Sequence, residues 1–155
     1  MPAPLPGAMI GVDIRNAPVL FGSYPILAVP IRFTGPVAAQ LVDQALFLCP
    51  TGQSWQVVAA DEVHAVASND AGAVNLQFTK DTGTQAPGAG VDLLTNNTAA
   101  GFNLKGTANT PQLATLTATA ADLTLAAGDR LSIDFNGTIA TLAGVVATAW
   151  LKRIS

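Results

Sequence analysis

Apolar and polar residues alternate with a period of two along much of this chain. In residues 73–80, Val74, Leu76 and Phe78 fall on one side and Asn75, Gln77 and Thr79 on the other, the pattern of a half-buried strand. Leu131, Ile133 and Phe135 alternate in the same way with Ser132, Asp134 and Asn136. Leu116, Ala118 and Ala120 are set against Thr115, Thr117 and Thr119, extending a strand over 112–119. Residues 25–34 read as an edge strand, because Pro25 and Pro30 cannot donate to an inner ladder. Apolar runs at 41–49 and 55–67, a short one at 102–105 and a closing one at 145–153 complete the series, with Leu123-Thr124-Leu125 before a turn at Ala127-Gly128-Asp129. Residues 81–90 read as a loop and 91–95 as a single helical turn. Asn136-Gly137 is a strong signal for a two-residue hairpin; the alternative is that the strand runs through Asn136 and the turn falls at Leu142-Ala143-Gly144.

No segment shows sustained helical periodicity. Glutamate occurs once and lysine three times, whereas threonine, a β-former, occurs sixteen times. Eight or nine strands with regularly spaced turns predict an all-β antiparallel sandwich or barrel occupying residues 18–155. Residues 1–17 differ. Prolines at 2, 4 and 6 oppose helix and sheet, yet Leu5, Met9, Ile10, Val12 and Ile14 are too apolar for a purely solvated tail. This segment reads as an extended arm needing a surface to lie on, with Pro4, Leu5, Pro6, Met9, Ile10, Val12, Ile14 and Arg15 as candidate partner-binding residues; the alternative is a disordered terminus.

The chain has 155 residues, enough for one domain to bury a core without a metal or disulfide staple. Half its residues are hydrophobic and 11% are charged, so its surface must be covered mainly by threonine, serine, amides, alanine and glycine. Seven cations dispersed over a chain of net charge −3 argue against nucleic acid and against an anionic membrane surface as partners. No apolar run is long enough to span a bilayer, and the proline-rich start lacks the form of a signal peptide. Cys49 is the sole cysteine, so no intramolecular disulfide forms. Asn96-Asn97-Thr98 and Asn136-Gly137-Thr138 match the glycosylation pattern, which chance explains in a chain without a secretion signal.

Candidate chemistry is sparse. His64 shares a strand face with Glu62, but one histidine and one carboxylate do not make a zinc site, and neither Ser54 nor Ser68 sits in a nucleophile motif. The expectation is an outward-facing polar pair. Cys49 follows an apolar run with no cation nearby, which predicts a buried, inert thiol. Asp122, Asp129 and Asp134 are well separated, as are Asp81 and Asp92 around the loop, whereas calcium needs six or more clustered oxygens. Trp55, Trp150 and Tyr24 raise carbohydrate binding; the competing reading is packing, with Trp150 on one face with Thr148 and Lys152, partly exposed or at a subunit contact. No cofactor motif is present, and no enzymatic activity is expected.

The stretches WQVVAADEVHAVA (55–67), GAVNLQFTKDTGT (72–84), LKGTANT (104–110), LTATA (116–120), LAAGDRL (125–131) and LAGVV (142–146) together resemble the jelly-roll decoration, or cement, proteins of tailed bacteriophages. The resemblance spans roughly residues 25–154. It implies a jelly-roll sandwich on the outer capsid surface of the virion, bound to the major capsid protein; the low surface charge adds the expectation of a dimer or trimer, and the apolar, proline-broken residues 1–17 that of a strap between neighbouring shell subunits. Its motifs are turns and strands and bring no catalytic residues. The same sandwich also serves carbohydrate- or receptor-binding modules of tail fibres and spikes, since fold does not fix function.

Overall fold

The computed structural model describes residues 19–21, 24–36 and 43–155, with side chains described for 26–32 and 43–155. The predicted arm, and with it Pro4, Leu5, Pro6, Met9, Ile10, Val12, Ile14 and Arg15, lies outside these residues. The predicted sandwich is present, as two antiparallel sheets. One sheet runs β1 (Val19–Phe21), β2 (Tyr24–Pro36), β11 (Ala143–Arg153), β4 (Trp55–Val63) and β8 (Gln112–Leu113), with β9 (Thr124–Leu125) also pairing β4. The other runs β3 (Gln44–Leu48), β10 (Arg130–Asn136), β5 (Asn75–Asp81) and β6 (Val91–Asp92), with β7 (Phe102–Asn103) also on β5.

The short strands share positions. β6 and β7 lie end to end along one side of β5, and β8 and β9 do the same along β4. Counting each such pair once, and β1 as an extension beside β2, the chain has the eight-position order of a jelly roll: first, eighth, third and sixth positions in one sheet, second, seventh, fourth and fifth in the other.

Inward residues of both sheets form one core. Val29, Ile31, Val57, Val145, Ala147, Ala149 and Leu151 come from the first sheet, and Leu76, Phe78, Leu131, Ile133 and Phe135 from the second. The apolar sides of β5 and β10 thus face the core as their alternation predicts, and the closing run forms β11.

Four local expectations need correction. β2 is not outermost at its start, because β1 pairs Tyr24 to Ile26; beyond that, Pro30 has only Thr148 of β11 opposite it among the described residues. Residues 91–95 hold β6 rather than a helical turn, and the turn follows at α1 (Asn96–Ala99). There Asn97, Thr98 and Ala99 have φ of 51°, 59° and 66°, a left-handed turn that hydrogen bonds to its flanks must hold. The strand foreseen over 112–119 shrinks to β8, followed by α2 (Ala120–Leu123). Asn136-Gly137 makes no hairpin, since the chain leaves β10 there and enters the other sheet at β11. Gly137 has φ +93°, and a Cβ would sit 2.2 Å from the Ala73 carbonyl oxygen, so the crossing passes too close to backbone for any other residue.

The outer row of β5 departs most from its pattern. Asn75, Gln77, Thr79 and Asp81 are polar and yet buried. Loop 82–90 and the segment after it fold over them, and the polar side chains meet that segment's backbone. Gln77 Nε2 donates to the Leu94 and Ala99 carbonyls at 3.0 Å, while its Oε1 accepts from the Leu94 N–H at 2.9 Å. Asp81 Oδ1 accepts from the Gly90 N–H at 2.9 Å, and Ser132 Oγ donates to Asp81 Oδ2. Asn97 Nδ2 donates to Asn75 Oδ1 at 2.6 Å, tying down the left-handed turn. Each buried group orphaned by loss of such a partner costs about 1–3 kcal/mol. Gln77→Ala is therefore expected to destabilise the fold by about 2–5 kcal/mol in chemical denaturation. The accompanying rise in amide exchange should be large at Leu94 and small at Ile133.

Candidate functional site

Strand β11 sits in the middle of its sheet, so its outward residues define the centre of an open face. Trp150 is 38% exposed there. Its direct cross-strand neighbours are Ala28 on β2 and Ala59 on β4, small enough to leave the indole standing above the sheet. The indole Nε1 donates to Asp61 Oδ2 at 2.8 Å, which fixes the ring's orientation. Around it lie Val58, 40% exposed, and Leu113, 75% exposed and paired to Asp61 in the ladder. Arg32 is exposed on β2 at one side of the face, and Asp61 lies on β4 at the other. Neither forms a salt bridge among the described residues. The result is a surface with an apolar centre around Trp150 and with Arg32, Lys152 and Asp61 as its charged residues. Its Thr148, Trp150 and Lys152 share one side of β11, as the sequence indicates; Arg32, Val58, Asp61 and Leu113 carried no signal of their own and become visible only through the ladder.

The polar pair on β4 faces inward, not outward as the alternation implies. His64 and Glu62 are both buried. The cause is a β-bulge. Trp150 pairs with Ala59 and Leu151 with Val57, leaving an extra β4 residue at Val58. Before it, Trp55 and Val57 point to the core; after it, Ala60, Glu62 and His64 do, because one extra residue exchanges the two faces. His64 Nδ1 lies 2.9 Å from Glu62 Oε1, and Nε2 lies 3.2 Å from the Gly106 carbonyl oxygen. Gln112 Nε2 donates to Glu62 Oε2 at 2.7 Å. Burial lifts the Glu62 carboxyl above its ordinary pKa, against the hydrogen bond and charge of His64 and the bond from Gln112. With both ring nitrogens engaged inside the protein, the pair fastens the 104–113 segment to β4 rather than meeting a substrate.

The other candidates also take their places. Cys49 is buried with its Sγ 3.4 Å from the Gln53 and Leu125 carbonyl oxygens, and desolvation and Asp129 push the thiol up. Trp55 is buried, donates to Gln53 Oε1 at 2.9 Å and stacks edge-on to Phe47 at 5.7 Å, so it offers no sugar platform beside Trp150.

Among the acids, Asp81 and Asp129 are occupied by internal hydrogen bonds. Asp134 is instead brought beside Asp92 and Asp43, a residue the sequence reading did not single out. Gly88 passes close to Asp43 and Asp134, with φ +81°; a Cβ there would be tight, 3.0 Å from Asp43 Cβ and 3.2 Å from Asp134 Cβ. Among the described residues, no group of three His, Cys, Asp or Glu is arranged to hold a metal ion, and no helix is long and apolar enough to cross a membrane. No protein-family model, curated protein or solved structure matches the chain.

Desolvation, the charge of Asp43, a hydrogen bond to it and the charge of Asp92 push Asp134 up to about 6. An unfolded aspartate titrates near 3.9, so between about pH 4 and 6 the folded state binds the extra proton. The corresponding stability is present below pH 4 and is lost as pH rises through 6. Asp134→Asn should therefore raise the melting temperature relative to the parent at pH 7.5 and leave it nearly unchanged at pH 4. Scanning calorimetry at the two pH values measures the difference.

Proposed function

We propose that this protein is a non-catalytic binding module of a virion, which docks on the outer capsid surface through the open face around Trp150 and bridges major capsid subunits. The observation that carries the reading is that face: apolar at its centre, built around an oriented tryptophan and bordered by Arg32, Lys152 and Asp61. Exposed apolar surface of this kind marks interaction sites, and buried tryptophans dominate protein interfaces. With Trp55 buried, Trp150 stands without a second tryptophan beside it to form a sugar platform, which favours a protein surface. The partner's chemistry follows from the rim. It should present an apolar patch to Trp150 and Leu113, an acid opposite Arg32 and a donor or cation opposite Asp61.

The jelly-roll order of the strands agrees with the resemblance to phage decoration proteins, which supplies the capsid shell as the occupant. His64, the chain's one histidine, has no free ring nitrogen, which supports a role without catalysis. Residues 1–17, by their sequence, add a second contact to a neighbouring shell subunit, and linked contacts of this kind raise avidity by roughly 10²–10⁴. Assembly of two or three copies around a capsid symmetry axis fits the same scheme.

The test is sedimentation of the full chain with capsids that lack it. Trp150→Ala should weaken binding about 10–100-fold while leaving the fold intact, because the residue is partly exposed and its loss opens no core cavity. Unchanged capsid binding by Trp150→Ala overturns the face as the docking site. Binding to glycans with none to capsids replaces the shell by a tail-fibre receptor, and self-association through the same face replaces it by a second copy.

A further inference from the structure

The buried Glu62–His64 pair must contain a proton that its members do not share once unfolded at neutral pH. The Gly106 carbonyl oxygen can only accept, so His64 Nε2 carries a hydrogen. The contact between His64 Nδ1 and Glu62 Oε1 at 2.9 Å also needs a hydrogen, on one atom or the other. A bare carboxylate against a bare imidazole nitrogen would set two lone pairs face to face without water. Whether the species is imidazolium with carboxylate or imidazole with carboxylic acid, the proton count is the same.

We propose that this pair is a proton-locked clamp, holding the 104–113 segment on β4 and making both stability and docking depend on pH. Its two ends show the clamp's reach. His64 holds Gly106, and Glu62 holds Gln112, whose Oε1 in turn accepts from the Asn103 N–H at 3.1 Å. The next residue, Leu113, lies on the open face beside Asp61.

Other charges do not complete the pair. From β4 itself, Asp61 turns to Trp150 on the opposite face. From the clamped segment, Lys105 reaches away to the Asp70 and Gly72 carbonyls at 2.6 and 3.0 Å. On the β11 side, the residue paired with Glu62 is Ala147. The two groups thus face each other and Gln112.

The sign follows by counting. Unfolded, glutamate ionises near 4.3 and histidine near 6.5. Relative to the fully deprotonated pair, the unfolded chain carries two protons below about pH 4.3, one between 4.3 and 6.5, and none above. The folded pair, with both contacts made, holds one. Stability from the clamp is therefore greatest between about pH 4.3 and 6.5 and falls on either side. Above 6.5 the unfolding constant should rise about tenfold per pH unit until the folded pair gives up its proton.

Glu62→Gln supplies the discriminating variant. Its amide nitrogen donates to a neutral His64 Nδ1 and its oxygen accepts from Gln112, so every bond survives without the extra proton. In guanidinium titrations of the full chain between pH 6.5 and 8, the parent should lose stability steeply and Glu62→Gln should lose much less. The difference between the two cancels other titrating groups. Equal slopes overturn the proposal. Should Glu62→Gln fail to fold, calorimetric refolding of the parent at pH 7.5 in buffers of different ionisation enthalpy must show uptake of about one proton, and no uptake overturns it. The docking consequence rests on the proposed shell contact. Capsid binding should weaken for the parent from pH 6 to 8 and hold for Glu62→Gln, and equal pH dependence of the two rejects the link from clamp to face. A stability slope without capsid binding at any pH keeps the clamp for stability, removes its docking role and rejects the shell reading.

Discussion

Buried backbone groups need partners, and in this molecule long irregular segments cover both a sheet face and a sheet edge. Strand ladders cannot serve them, and the helices among the described residues are single turns. Side chains take over that work. Gln77 presents an amide to Leu94 much as a neighbouring strand would, with one donor and one acceptor, and adds a bond to Ala99. Asn96 does the same at the surface, donating to the Leu113 carbonyl at 2.9 Å and accepting from the Thr115 N–H at 2.6 Å. Glu62, His64 and Gln112 hold the 104–113 segment. Among the described residues no buried side-chain nitrogen or oxygen is left without a partner. A chain with 11% charged residues and many amides and hydroxyls suits this construction, because neutral groups carry a smaller desolvation cost than ions.

A single extra residue in β4 separates its buried polar pair from the open face around Trp150. The bulge at Val58 sends Glu62 and His64 inward, where they clamp, and leaves Asp61 outward, where it orients Trp150. Without it the acid–histidine pair would stand in solvent and the 104–113 segment would lose its anchor. The bulge thus ties the interior to the open face: β8 is paired to β4 in the register that puts Gln112 over Glu62 and Leu113 over Asp61. Docking through that face and proton-dependent fastening beneath it are, on this reading, two sides of one strand.

The acidic trio of Asp43, Asp92 and Asp134 shows the opposite situation. Here the fold brings like charges together and raises Asp134, with no cation among the causes of its shift. Ionising Asp134 beside these charges is expected to cost stability at neutral pH.

Much of the fold was legible in the residues alone. Alternation in 73–80 and 131–136 identified β5 and β10 with their core faces, because a strand side chain has only two sides to choose from, and the closing apolar run located β11. The loop after Asp81 and the turn at Gly128 followed from residues that favour no ladder. The open face was legible in part, through Trp150. Alternation, however, reports which residues share a side only while the register is unbroken. Nothing in the order of Val57, Val58 and Ala59 announces the bulge; β11 decides it by what it can pair with. Nor does a polar row reveal whether water or folded backbone will satisfy it. Asn75, Gln77 and Thr79 read as the side away from the core because solvent is the usual partner for such groups, and only the return of 82–99 across the sheet supplied partners to Asn75 and Gln77. The sequence by itself determined strands, core and class of fold; the tertiary structure decided which polar residues lie inside, because a hydrogen-bond partner from elsewhere in the chain exists only once the chain has folded.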